Sequence, residues 1–91
     1  MITAEPTDTR ELSFGEKAVG LTFNPSGDPF VTEVKQGYAR VIDEMNALRL
    51  RTDNTEVKRM ASVAITEAQT ARMWAVKAAT WRGGVVAVRG L

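Results

Sequence analysis

Residues Asp53–Trp81 read DNTEVKRMASVAITEAQTARMWAVKAATW. The run has neither Gly nor Pro and is rich in strong helix formers, so it predicts one continuous helix of about 28 residues, roughly 40 Å long. Val57, Ala61, Ala64, Ala68, Ala71, Ala75 and Ala78 follow one another at alternating steps of four and three, which places them on one seam. Methyl groups bury little area, but they let a second helix approach near the short end of the usual 8 to 10 Å range. The seam therefore predicts a tightly packed helical neighbour, since a lone helix of this kind is marginal in water.

That neighbour lies just upstream. Pro29–Leu50 carries Val31, Val34, Tyr38, Val41, Met45 and Leu48 at three-four spacing, with Ile42 widening the stripe. Large side chains on this helix fill the space that an alanine seam leaves. Gly37 inside it costs up to about 1 kcal/mol relative to Ala, which suits either a close helix contact or backbone approach by a ligand. Arg49–Asn54 joins the two helices, with Asp53 and Glu56 at the spacing of a capping box. So short a connection forces an antiparallel hairpin.

The rest of the chain is less regular. Asn24-Pro25-Ser26-Gly27-Asp28-Pro29 is a turn by composition, and Asp28 before Pro29 reads as an N-cap with Pro at the first helical position. Leu12–Phe23 is interrupted by Gly15 and Gly20 and permits a short helical turn at Phe14–Val19. Residues 1–11 show no period and read as a mobile arm. Beyond Trp81, Arg82-Gly83-Gly84 ends the helix, and VVAVRGL reads as a flexible or short extended tail. The expected organisation is an N-terminal arm and turn over 1–28, a helical hairpin over 29–82 and a tail over 83–91. The fold class is all-α, and the hairpin should assemble into a helical homo-oligomer, because two helices cannot cover all of these apolar faces.

At 91 residues the chain holds one domain, and it contains no Cys and no His. Thiolate metal sites, disulfides and the commonest general base are therefore absent. No pair of carboxylates is spaced for acid and base work: Asp43 and Glu44 diverge by about 100° on their helix, and Glu56 and Glu67 lie three turns apart. No acidic cluster suits a metal. The chain reads as a non-enzyme with no catalytic residue and no cofactor. A net charge of +1 argues against duplex nucleic acid as a partner. No apolar run approaches a membrane span, and MITAEPTDTRE lacks the blocks of a signal peptide, so the expectation is a cytoplasmic protein.

Candidate binding residues fall in two places. The turn before the first long helix presents the positive end of a dipole, with Asn24, Ser26 and Gly27 as polar lining, although Asp28 there suits capping equally well. The second helix carries Glu67, Thr70, Trp74, Lys77 and Trp81 on one stripe and Ser62, Thr66, Gln69, Arg72, Met73 and Val76 on another. Tryptophans and methionines among so few charges are unusual for a solvated face. Either they anchor an interface, or they supply base-stacking rings and phosphate-binding cations for a nucleotide.

GEKAVGLTFNPSGDPFVTEVK, the ID-x-x-N of Ile42–Asn46 and AITEAQTARMWAVKAATW together resemble a family of small phage-encoded helical-hairpin proteins. These are sponges that sequester the signals of the bacterial CBASS and Thoeris immune systems. The resemblance implies a hexamer of hairpins, in the host cytoplasm, that binds cyclic nucleotides without cleaving them. The signals are cyclic di- and trinucleotides in the anti-CBASS branch and cyclic ADP-ribose derivatives in the anti-Thoeris branch. With 28 residues before the first long helix there is too little chain for a β-rich N-terminal region, so the likeness is to the hairpin-only anti-CBASS type. It also implies a Tyr, Lys and Arg set for ligand, for which Tyr38, Lys35, Lys17 and Arg72 have the matching chemistry. Outside this resemblance, a structural helical module that binds another protein accounts for the same stripes.

Overall fold

The computed structural model describes residues 10–81, and every element among them is helical. They form α1 (Phe14–Ala18), α2 (Pro29–Arg51) and α3 (Thr55–Ala79). Residues 1–9 of the expected mobile arm over 1–11, and the expected tail over 83–91 with Arg82 before it, lie outside the described residues, while Arg10 of that arm is tied to Glu16. Within that range no helix is long and apolar enough to cross a membrane.

The short helical turn foreseen near Phe14 is a docked element. Ser13 caps it: Glu16 N donates to Ser13 Oγ at 3.1 Å, and Ser13 N donates back to Glu16 Oε1 at 2.8 Å. Asp43 of α2 then takes both free donors, Ser13 Oγ and Gly15 N, at 2.6 Å each. Arg10 pairs with Glu16 at 2.7 Å, and this bond, with that from Ser13 N, holds the Glu16 carboxyl at about 2, well below its ordinary 4.5. A depressed carboxyl contributes stability that is complete above pH 4.5 and lost as pH falls toward 2. Protection of the α1 amides, taken relative to their intrinsic exchange rate at each pH, is expected to fall across that window, and Glu16→Gln should flatten the dependence there.

α2 begins where Asp28 Oδ1 accepts from Phe30 N at 2.9 Å, with Pro29 in the first turn, as the sequence indicates. It ends one residue later than expected. α3 starts later still. Its N-cap is Asn54, whose Oδ1 accepts from Glu56 N at 2.9 Å and Val57 N at 3.1 Å, and not Asp53. Glu56 is thereby freed from the capping role and pairs instead with Arg59. Asn54→Ala should cost about 1 kcal/mol, or about 4 to 8 °C in thermal unfolding, with Asp53→Ala within about 0.5 kcal/mol of the parent.

The helices pack as an antiparallel hairpin, but the faces are rotated from those the heptad spacing suggests. Val19, Ala39, Ile42 and Ile65 form the core, with Ile42 fully buried. On α3 the buried line runs through Ala61 and Ile65 to Ala68, whereas Ala71 and Ala78 are exposed. Burying Ile65 removes more apolar area than burying any alanine, so it sets the rotation. On α2 the inward line is Val31, Lys35, Ile42 and Met45, while Val41 of the expected stripe remains 44% exposed. α2 serves two neighbours, α1 and α3, so its buried face is centred between them. Gly37 meets no atom within 4 Å of where a Cβ would lie, so no close helix contact within the described residues explains it.

Candidate functional site

The link between α1 and α2 closes over the far end of the hairpin and is built from its own polar groups. Gly20 and Gly27 adopt the positive φ of 63° and 72° that this path needs. Asn24 Nδ2 donates to Asp28 O at 2.9 Å and to Thr32 Oγ1 at 3.2 Å, and Ser26 Oγ donates to Asn24 Oδ1 at 2.6 Å. The first amides of α2 are taken by Asp28, so capping is the reading that holds there. Under this link lies a cavity of about 300 Å³, walled by Phe23, Asn24, Pro25 and Ser26 on one side and by Val31, Lys35, Arg72, Val76 and Thr80 on the other.

Two cations share this cavity, and no carboxylate lines it. Lys35 is buried, and its Nζ donates to Gly20 O at 3.0 Å and to Phe23 O. Loss of hydration lowers its pKa, and the nearby charge of Arg72 lowers it further. Arg72 Nε is buried with no hydrogen-bond partner among the described residues. A buried, unpartnered guanidinium N–H costs free energy that an acceptor in the cavity would recover. Phe23, 70% exposed with its ring centroid 5.6 Å from Lys35 Nζ, adds an aromatic plane at the mouth. The arrangement suits an anion joined to a planar ring.

Of the residues singled out from the sequence, Asn24, Ser26, Lys35 and Arg72 come together here. Tyr38 lies half-buried in a separate groove with Val34, Gly37, Val41 and Ala75. Trp74 and Lys77 meet each other on the outer face of α3, with Lys77 Nζ 5.3 Å from the Trp74 ring centroid. Lys17 and Thr66 are exposed and Gln69 is half-buried, and none of them lines the cavity. Val76 joins Arg72 from the same stripe of α3, whereas Phe23 and Thr80 were not foreseen. Nothing in their spacing marks them, because the link and the hairpin end meet only in three dimensions. A larger concavity of about 480 Å³ beside α1 contains Glu16, Asp43 and Glu44, whose charges oppose an anion. No group of three or more acidic residues among those described is placed to hold a metal.

Comparison with known proteins adds one match. No curated protein and no solved structure matches the chain. The family described as Acb2/Tad1, hairpin domain, matches residues 16–80, a span that begins in α1, runs through the link and both long helices, and ends at the α3 cap. Every residue lining the two-cation cavity falls inside it. The chain therefore belongs to the Acb2/Tad1 hairpin-domain family.

Proposed function

We propose that this protein is a phage anti-defence sponge: it binds cyclic oligonucleotide second messengers of CBASS-type immunity and withholds them from their effectors without cleaving them. One observation carries this reading. Lys35 and Arg72 line one half-open cavity that lacks any carboxylate, and Arg72 Nε is buried with no hydrogen-bond partner among the described residues. Two uncompensated cations in one cavity disfavour each other until an anion arrives. A phosphodiester supplies that anion, and its base can stack on Phe23. Family membership supports the same conclusion.

Arg72 is assigned to the phosphate. Lys35 completes the positive field while holding the link in place. Asn24 and Ser26 shape the link, and Lys17, Tyr38, Thr66, Gln69, Trp74 and Lys77 are the remaining candidates for ligand contact, from this chain or a neighbouring copy. A cavity of about 300 Å³ lies at the small end of ligand pockets, so a cyclic dinucleotide needs further walls. Another copy is their natural source, which fits a homo-oligomer such as a hexamer acting in the host cytoplasm. No duplex nucleic acid, membrane, metal or cofactor enters the proposal, and no residue is assigned to catalysis.

Isothermal titration against cyclic di- and trinucleotides and cyclic ADP-ribose variants tests it. Saturable heats with a cyclic dinucleotide or trinucleotide support the reading. A preference for the ADP-ribose variants would move the protein to the Thoeris branch, and flat heats throughout would remove the proposal. A structural protein-binding module is the second reading, favoured by the exposed tryptophans of α3.

A further inference from the structure

We infer that Lys35 is a site of reversible carboxylation, where its ε-amine adds dissolved carbon dioxide and Arg72 holds the carbamate so formed. The groups that this reaction needs meet in the two-cation cavity. Lys35 is 4% exposed, and its Nζ donates to Gly20 O at 3.0 Å and to Phe23 O. An ammonium has three N–H groups and these carbonyls take two, so the third position on the nitrogen is left for the cavity that Lys35 lines. A neutral amine keeps both bonds and puts its lone pair in that third position. The link therefore tolerates the neutral form, which is the nucleophile. Burial favours that form, and so does the charge of Arg72. A lysine that served only to latch the link would gain nothing from a second cation beside it.

Attack of the lone pair on the carbon of carbon dioxide forms the N–C bond and opens one C–O π bond. The nitrogen gives one proton to solvent, so the product carries one negative charge and nothing is oxidised or reduced. The side chain thereby passes from cation to anion. Its new carboxylate supplies what the cavity lacks, since no carboxylate lines it and Arg72 Nε is buried with no hydrogen-bond partner among the described residues. A guanidinium holds such a group by charge-assisted hydrogen bonds. The carbamate nitrogen retains one N–H, so one of the two carbonyl bonds is given up. Carbon dioxide is uncharged and far smaller than the cavity of about 300 Å³, and it enters without displacing the walls. Formation of the carbamate does not depend on what the protein sequesters. Its consequence for binding does rest on the sponge reading: with Lys35 negative and Arg72 paired, the cavity no longer attracts a phosphate, so carbon dioxide and a cyclic nucleotide exclude each other.

The test uses the full chain, without nucleotide, in sealed solution with isotopically labelled bicarbonate as the source of carbon dioxide at mildly alkaline pH. Carbamates are trapped with triethyloxonium and located by peptide mass spectrometry, read peptide by peptide because an α-amino group takes carbon dioxide too. Label should concentrate on Lys35, with the exposed Lys17, Lys58 and Lys77 as controls in the same chain. Arg72→Ala removes the acceptor and should lower the Lys35 label about tenfold, as for one lost charge-assisted hydrogen bond. Lys35→Arg should abolish the label while keeping a donor for the link. In separate titrations, carbon dioxide at about ten times the concentration that half-fills Lys35 should raise the apparent dissociation constant of a cyclic dinucleotide about tenfold. Lys35 label no higher than that of the exposed lysines, or label unchanged in Arg72→Ala, would overturn the inference. Label on Lys35 beside flat cyclic-nucleotide heats would uphold the carbamate and remove the sponge reading, so either proposal can fail alone.

Discussion

Gly15→Ala is expected to undock α1 and lower stability by on the order of 3 kcal/mol, more than 10 °C in the midpoint of thermal unfolding. A methyl group at this position would fall onto the Ala39 carbonyl oxygen and lie 2.9 Å from Asp43 Oδ1. The Ala39 oxygen is backbone in the middle of α2 and cannot move aside. Relief comes only if α1 retreats, which breaks the Gly15 N and Ser13 Oγ bonds to Asp43 and exposes Val19, otherwise buried in the core. The same movement pulls on Gly20 and Phe23, whose carbonyls hold Lys35, so the cavity loosens as well. Gly37→Ala makes the control. Its new methyl meets nothing within 4 Å among the described residues, and in a helix interior alanine gains up to about 1 kcal/mol over glycine. Differential scanning calorimetry of both variants checks the contrast, and a Gly15→Ala protein as stable as the parent would show that α1 is not held as described.

Arg72→Ala should weaken cyclic-nucleotide binding by about 30- to 1,000-fold, the loss expected when one member of a buried charge pair is truncated. Stability should change little or rise, because the substitution removes an unpartnered buried N–H and the charge that depresses Lys35. Affinity and stability then move independently, as they do where a site is kept strained for function. Lys35→Ala should differ: it strips two backbone carbonyls of their donor and should lower stability and affinity together. Titration calorimetry beside thermal unfolding separates the two patterns. Full affinity in Arg72→Ala would remove the phosphate role.

The hairpin could be read from the chain because its signals are local: the Asp28-Pro29 start, the absence of Gly and Pro between Asn54 and Trp81 and the short connection each act within a few residues. Which way each helix faces was harder. Alanines sit on several lines of α3, and a methyl group binds too weakly to prefer one of them, so the rotation was settled by Ile65 and by the need of α2 to meet α1 as well. Lys35 shows the same limit from the other side. A pattern of apolar residues passes over a lysine, yet this one is buried because two carbonyls from a distant link accept its protons. The capping shift from Asp53 to Asn54 is smaller in kind, since both side chains can cap and only geometry chooses. Arg72 and Lys35 were recognised for their charge, but their meeting with Asn24, Ser26 and Phe23 depends on the docking of α1 and its link, which no spacing records.

Sequestration without cleavage is tested most directly by ligand recovery. The protein is saturated with a cyclic dinucleotide, freed of excess by desalting, incubated, and heated to release what it holds, and the supernatant is weighed by mass spectrometry. Recovery of the intact cyclic molecule in fixed proportion to protein, lost in Arg72→Ala, is the predicted result. Recovery of linear nucleotide, or of nothing above the level carried by an unrelated protein, would contradict it.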